Sequence, residues 1–452
     1  MKTNIFTLLF ILFSGSVAAT PNYTISPVLE LCKATQSQTN FTSEDTKYMY
    51  PLILNDDGWM IGGNRELSTE FTPESIANFK RFIQTVEKRL NATVVIALAP
   101  PRTLEGDKWK NGEFSSKQAL QAHYDNILTM YRSAGLHVPD LSRNMDTVKP
   151  SYYFKRDIHW RPEGASHAAN TIAKYLDDNG LVDHIPQIEA GFLTTNKGNR
   201  QLNRSTFNTT LKTLCGYSFI DESTTIYETT PSVEEDLFSS NDPEIYMIGT
   251  SFSKVETFHF EGFLKQSLQR HVANLALSGG GEFGAWLELF ENLDDDTSSH
   301  KIIIWELLSY YNPSKYANLQ HLIPMVNNGC KSADPLTVFS GSLQNGQKKE
   351  LIFDPKLFDY YPSQLIVDLD TGVFDTTSLK LRVWFDSGKK INLNLNATRN
   401  RHKDGRYVFE LGDINTDKLG KVLAIDVIDS SAKSGEISQI EGSVCLSNEW
   451  DA

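Results

Sequence analysis

Cysteine is scarce: there are four in 452 residues, at positions 32, 215, 330 and 445, and no two of them form a CxxC pair. That spacing excludes zinc sites of the finger type. Positive charge is also in deficit, with 43 Lys and Arg against 56 Asp and Glu and a formal net charge of −13. Such a balance argues against nucleic acid as a partner, and a groove for any polyanion has to be a local concentration of cations. Beyond the first residues no apolar run is long enough to span a bilayer. No internal repeat is visible.

The one sustained apolar run lies at the start. Lys2 precedes Ile5-Phe6-Thr7-Leu8-Leu9-Phe10-Ile11-Leu12-Phe13, and small residues follow up to Val17-Ala18-Ala19. This order reads as a secretory signal over residues 1–19, cleaved near Ala19, because a spanning helix needs roughly 20 apolar residues. An exported chain favours disulfides. The length exceeds one ordinary core, so two domains are expected, 20–330 and 331–452. Four cysteines allow three pairings. The one that respects the split joins Cys32 to Cys215 and Cys330 to Cys445. A soluble monomer is expected after cleavage.

From about Tyr48 to Leu308 strand and helix patterns alternate. Thr93–Ala99 and Lys301–Glu306 are continuous apolar runs of the kind buried on both faces. Helices are expected from the Thr72-Pro73-Glu74 cap, from Ser116 to Ala134, and from Pro162 to before Gly180. The expected fold is therefore α/β, a mostly parallel sheet covered by helices on both faces. The polar stretch from about Thr194 to Glu235 reads as a long excursion. After Cys330 short strand-like runs separated by turn residues predict an all-β sandwich or jelly roll.

Two segments about ninety residues apart carry the chemistry. Ile245-Tyr246-Met247-Ile248 stops at Gly249-Thr250-Ser251, as a buried strand does when it delivers a serine hydroxyl to a sheet edge. Arg156-Asp157-Ile158-His159-Trp160 supplies an Asp and a His that point the same way if the segment is extended. Ser251 is the candidate nucleophile, His159 its base and Asp157 the group that orients the imidazole. Helix-forming residues after Ser251 would aim backbone N–H groups at an oxyanion, with Gly249 permitting the sharp exit. As a metal site the Asp-His pair lacks a third ligand; His167 falls on the expected helix with Ala165, Ala168 and Ala169 and reads as structural. No metal or dissolved cofactor is implied. In the second domain Lys380, Arg382 and Trp384 alternate along one strand, with Lys390, Arg399, Arg401, Lys403 and Arg406 beyond. Cations beside an aromatic platform suit a uronate polymer, and equally form a plain solvated face.

Asp157-Ile158-His159-Trp160 with Pro162-Glu163-Gly164-Ala165, and Ile248-Gly249-Thr250-Ser251-Phe252-Ser253, resemble the signature of periplasmic alginate O-acetyltransferases that pair an SGNH-hydrolase-like domain with a C-terminal carbohydrate-binding module. Asp57-Gly58-Trp59-Met60, Ala99-Pro100-Pro101-Arg102, Asn274 through Gly281, and Ile304-Trp305-Glu306 agree with it. The resemblance covers nearly the whole chain after the signal. It implies an acetyl-Ser251 intermediate, the order Asp, His, Ser, and a tyrosine near the serine, either Tyr310 or Tyr311. It adds Asn274 to the positioning residues and Lys380, Arg382, Trp384 and Lys390 to the polymer-binding ones. It also implies an anionic polysaccharide acceptor, the mannuronate of alginate in family terms, and an acetyl donor presented by membrane partners of an export complex. Two other readings remain open on the same residues: a polysaccharide deacetylase or esterase, and a non-catalytic polymer-binding scaffold.

Overall fold

Alternate residues of a strand face opposite ways, so a strand that is apolar throughout must be covered on both sides. In the computed structural model of the chain, β1 (Ala92–Ala99) and β4 (Lys301–Leu308) meet that condition, buried along nearly their whole length. The structure describes residues 24–447 apart from 27, 44–45, 63–65, 67–72, 106–116, 190, 233–242, 293–298, 312–315, 345, 372–375, 397–405 and 433–437. The signal segment, Thr72, Ser116, the acidic clusters at 234–236 and 294–296, and Arg399, Arg401 and Lys403 lie outside the described residues.

β1 and β4 run parallel to β2 (Ile245–Ile248) and β3 (Ala273–Asn274) in a sheet of order β1-β4-β2-β3. Val94, Ile96 and Leu98 join Ile303, Trp305 and Leu307 in one core, against helices α1 (Pro73–Leu90), α2 (Lys117–Ser133), α7 (Gly284–Asn292) and α8 (Tyr316–Val326). Val95, Ala97 and Ala99 join Ile302 and Ile304 in the other, against α3 (Pro162–Asp178) and α6 (Phe260–Leu268). The expected α/β layers are thus present. The polar excursion is more ordered than its composition suggests. Antiparallel strands Phe192–Gln201 and Ser223–Pro231 enclose α4 (Thr206–Cys215), whose last residue is disulfide-bonded to Cys32.

After α8 the chain forms two antiparallel sheets. One has the order β5 (Thr337–Leu343), β12 (Ser438–Leu446), β7 (Leu365–Asp370), β10 (Arg406–Glu410). The other has the order β6 (Lys349–Ile352), β11 (Val422–Ala432), β8 (Thr376–Phe385), β9 (Lys390–Asn396). Leu365, Val367, Leu369, Tyr407 and Phe409 meet Leu379, Leu381, Val383 and Val427 between them. The outward residues of the first sheet are not solvated: Ile366, Val408 and the Cys330–Cys445 bridge pack on Met325 of α8. Arg81 of α1 adds a bidentate pair to Glu410, with both N–O distances 2.7 Å.

This junction corrects one expectation. Arg406, grouped on sequence with the polymer-binding cations, is buried and paired with Asp368, and it also reaches Asn328. Its place in the chain beyond Lys390 grouped it with those cations; what its side chain packs on decides its role. Removing one member of a buried ion pair strands the other, at a cost of ~3–5 kcal/mol. Arg406→Met is therefore expected to lower the unfolding free energy from urea titration by that order, read by fluorescence, whereas Arg382→Met on the opposite sheet changes it little.

Candidate active site

The register of the parallel sheet sets the position of Ser251. Ile248 at the end of β2 lies opposite Trp305 of β4, so the residues that follow pass beside Glu306. Gly249 is required by that close approach: a Cβ there would meet Glu306 Oε2 at 2.6 Å and Glu306 Cβ at 2.8 Å. Thr250 then caps α5 (Ser251–Lys254), its hydroxyl accepting from the Phe252 N–H at 3.3 Å. The helix expected after Ser251 is a single turn. Its Ser253 and Lys254 N–H groups go to the Thr250 carbonyl, so these amides serve the turn rather than an external oxyanion.

Asp157 and His159 meet for a different reason from the expected strand alternation. Residues 155–159 form a bend, closed by a bridge between Tyr153 and Trp160. Asp157 Oδ1 accepts from the His159 backbone N–H at 3.0 Å, which turns the chain back on itself, as Asp side chains do two residues ahead. The same oxygen takes His159 Nδ1–H at 2.5 Å. Oδ2 accepts from the Thr206 N–H at 2.6 Å and the Thr206 hydroxyl at 2.9 Å, at the start of α4. Burial alone would raise the Asp157 carboxyl. The charge of His159 and these hydrogen bonds outweigh it and hold the value at about 2. With Nδ1 protonated toward Asp157, Nε2 accepts from Ser251 Oγ at 2.7 Å.

The imidazole is held between rings, stacked on Phe258 and tilted against Phe252, with centroids 4.7 Å away in both cases. Buried Trp160 joins the two segments by donating its indole N–H to the Phe252 carbonyl at 3.0 Å. Below the His loop, Arg102 donates to the Met60 and Phe154 carbonyls and pairs with Glu66, while Glu222 accepts the Lys155 and Arg156 N–H groups. His167 bonds the Arg143 carbonyl, 2.9 Å away, and lies apart from these residues in a contact of its own.

Asn274 at the end of β3 donates to the Ser253 carbonyl at 2.9 Å and accepts from the Ala276 N–H, so it braces the serine turn. Tyr310 and Tyr311 follow β4 and pack edge to face at 5.0 Å. Tyr310, not Tyr311, lines a small pocket of about 20 Å³ with Ile158 and Phe252. A larger cleft of about 350 Å³ lies between Ser253, Lys254, Asn274 and the hairpin residues Arg200 and Tyr227.

In the β-domain Lys380, Arg382 and Trp384 point away from the core, whose side holds Leu379, Leu381 and Val383. Lys390 stands opposite Trp384 on β9. Arg382 and Lys390 both lie over the indole, at 5.6 and 4.9 Å from the ring, and the indole N–H goes to Asp426 at 2.6 Å. Asp426 and Asp429 sit across from Arg382 and Lys380, so the face carries both signs of charge.

Three contributors had no assigned role in the sequence reading: Thr206, Glu306 and the Phe252–Phe258 pair. Thr206 lies 49 residues from Asp157, inside the stretch taken as an excursion. Only the Ser205-Thr206 cap pattern marks the start of α4, and it says nothing of Asp157.

Two family models match the chain. One, described as SGNH hydrolase-like domain, acetyltransferase AlgX, covers residues 52–309; the other, a C-terminal carbohydrate-binding module, covers 329–452. The alginate biosynthesis protein AlgX of Pseudomonas fluorescens is 26% identical over 451 residues, 96% of this chain and 91% of that protein. The probable alginate O-acetylase AlgJ of Azotobacter vinelandii is 24% identical over 280 residues, 59% of this chain and 70% of that one. The structure of Pseudomonas aeruginosa AlgX superposes with a TM-score of 0.76 at 23% identity, over 92% of this chain and 99% of that chain, which shows a common fold.

The depressed Asp157 carboxyl has a thermodynamic consequence. A carboxyl whose folded value lies below its unfolded one stabilises the fold above about pH 4, and that stability is lost as pH falls toward 2. Wild type is expected to lose roughly 2 kcal/mol more than Asp157→Asn between pH 5 and pH 2, measured by urea unfolding at each pH.

Proposed function

The chain belongs to the AlgX family of SGNH hydrolase-like acetyltransferases, and from that premise we propose that it moves acetyl groups onto hydroxyls of an anionic exopolysaccharide, alginate mannuronate, through an acetyl-Ser251 intermediate. The observation that carries this reading is the continuous set of contacts from Thr206 through Asp157 and His159 to Ser251. It works in the periplasm after signal cleavage, on a donor presented by membrane partners of an export complex.

In the first half-reaction Ser251 Oγ attacks the donor's acyl carbon while His159 Nε2 takes the hydroxyl proton. The donor's leaving oxygen departs with that proton, and the acetyl group stays on Ser251. In the second half a sugar hydroxyl gives its proton to Nε2 and attacks the acetyl carbon, which frees Ser251. Asp157 keeps Nδ1 protonated and balances the imidazolium formed in each half. The Ser251 amide, first of its helical turn, is the donor that meets the oxyanion. Transfer rather than hydrolysis needs a bound acceptor and little competing water. The Phe252 and Phe258 rings exclude water from the imidazole, and the outer face of β8 and β9 holds the polymer.

The test is mass spectrometry of polymannuronate oligosaccharides incubated with the protein and a simple activated acetyl ester. Acetyl units are expected on the sugar with wild type and none with Ser251→Ala. Ester consumed with unmodified sugar would replace transfer by hydrolysis; neither change would leave the scaffold reading. Trp384→Ala is expected to weaken polymer binding by about tenfold, by titration calorimetry, while ester turnover without polymer is unchanged.

A further inference from the structure

Glu306 is a charged residue with no exposure at all, at the carboxyl end of a central strand. Its Oε2 accepts from the Thr250 N–H at 2.7 Å, the Thr250 hydroxyl at 2.9 Å and the Ser253 hydroxyl at 3.2 Å. These donors flank Ser251 on both sides. Gly249, the preceding residue, leaves the space that the carboxylate fills. Burying a carboxylate is costly, and burial pushes this one up to about 7 despite the hydrogen bonds from Thr250 and Ser253 and the nearby His159. An apolar side chain in that place would fill the same space at less cost but would leave the Thr250 amide without an acceptor.

Building on the proposed nucleophilic role of Ser251, we infer that Glu306 is a positioning residue: it pins the turn between β2 and α5 from beneath, through Thr250 and Ser253, and so holds Ser251 Oγ at His159. Glu306 touches neither substrate nor the reacting atoms. Its effect reaches the serine through the backbone on either side, and a misplacement of about 1 Å costs on the order of a hundredfold in rate. Glutamine can still accept the Thr250 amide, whereas alanine leaves all three donors unmatched, so the two variants grade the effect.

Two measurements on the full-length protein test this. The first is hydrogen exchange of the peptide spanning 249–255, read by mass spectrometry in wild type, Glu306→Gln and Glu306→Ala. The second is the saturating rate and half-saturating concentration for modification of Ser251 by a small sulfonyl fluoride. Expected are faster exchange confined to that peptide, and a saturating rate lowered about tenfold in the Gln variant and about a hundredfold in the Ala variant. The half-saturating concentration should not move, which separates positioning from general loosening of the site. Unchanged exchange in both variants, or faster exchange with an unchanged rate of modification, overturns the inference. A wild-type Ser251 that resists the reagent, together with faster exchange in the variants, sinks the nucleophile reading while the pinning of the turn stands.

Discussion

The contact between the buried Asp157 carboxylate and His159 is the constraint around which the first domain is arranged. A carboxylate out of water has to be met by donors. Two come from its own loop, the backbone N–H and Nδ1–H of His159, and two from Thr206. Thr206 can supply them because α4 is inserted between two hairpin strands and anchored by the Cys32–Cys215 bridge. The His loop is in turn held by Arg102 and Glu222. A large part of the polar structure outside the sheet thus serves to keep one charge buried and one imidazole aimed.

Ser251 arrives by an independent route. Its position follows from the register of β2 on β4 and from Gly249 and Glu306 filling each other's space. The two routes meet where Trp160 donates to the Phe252 carbonyl and where both phenylalanines hold the imidazole. The carboxylates at the two ends differ accordingly. The charge of His159 and four donors outweigh burial at Asp157, which is held at about 2, while burial prevails at Glu306, which sits near 7. Environment, not residue type, separates their behaviour.

What the sequence made legible were features with a short period. The continuous apolar runs of β1 and β4 announced a sheet covered on both faces, and the stop of β2 at Gly249-Thr250-Ser251 marked the serine. The alternation of Lys380, Arg382 and Trp384 likewise survives in β8. Contacts made across the fold were not legible. Thr206 reaches Asp157 over 49 residues and Glu306 reaches Thr250 over 56, and neither leaves a local pattern. Local geometry also misled where two mechanisms lead to the same proximity: Asp157 and His159 meet through a side-chain-capped bend, not an extended strand. Arg406 failed for a further reason, since nearness in sequence to other cations cannot tell a solvated sheet face from one covered by α8.

The covered face bears on how the two domains cooperate in the proposed reaction. An acetyl-serine is exposed to water at molar concentration, so a sugar hydroxyl competes only if it is held near the site. A flexibly tethered binding module would raise the local concentration of polymer only modestly. Here one sheet of the sandwich is packed on α8, locked by the Arg81–Glu410 pair and by Gln320 bonding the Glu410 carbonyl. The sheet bearing Trp384 is the opposite one, and its outer face stays open. With the module fixed, the proposed acceptor would have to be long enough to reach both that face and Ser251. Charge acts in the same direction. On a chain of net charge −13, Lys380, Arg382 and Lys390 concentrate positive charge on that face, which the proposed polyanionic acceptor requires, while Asp426 and Asp429 stand across from Arg382 and Lys380.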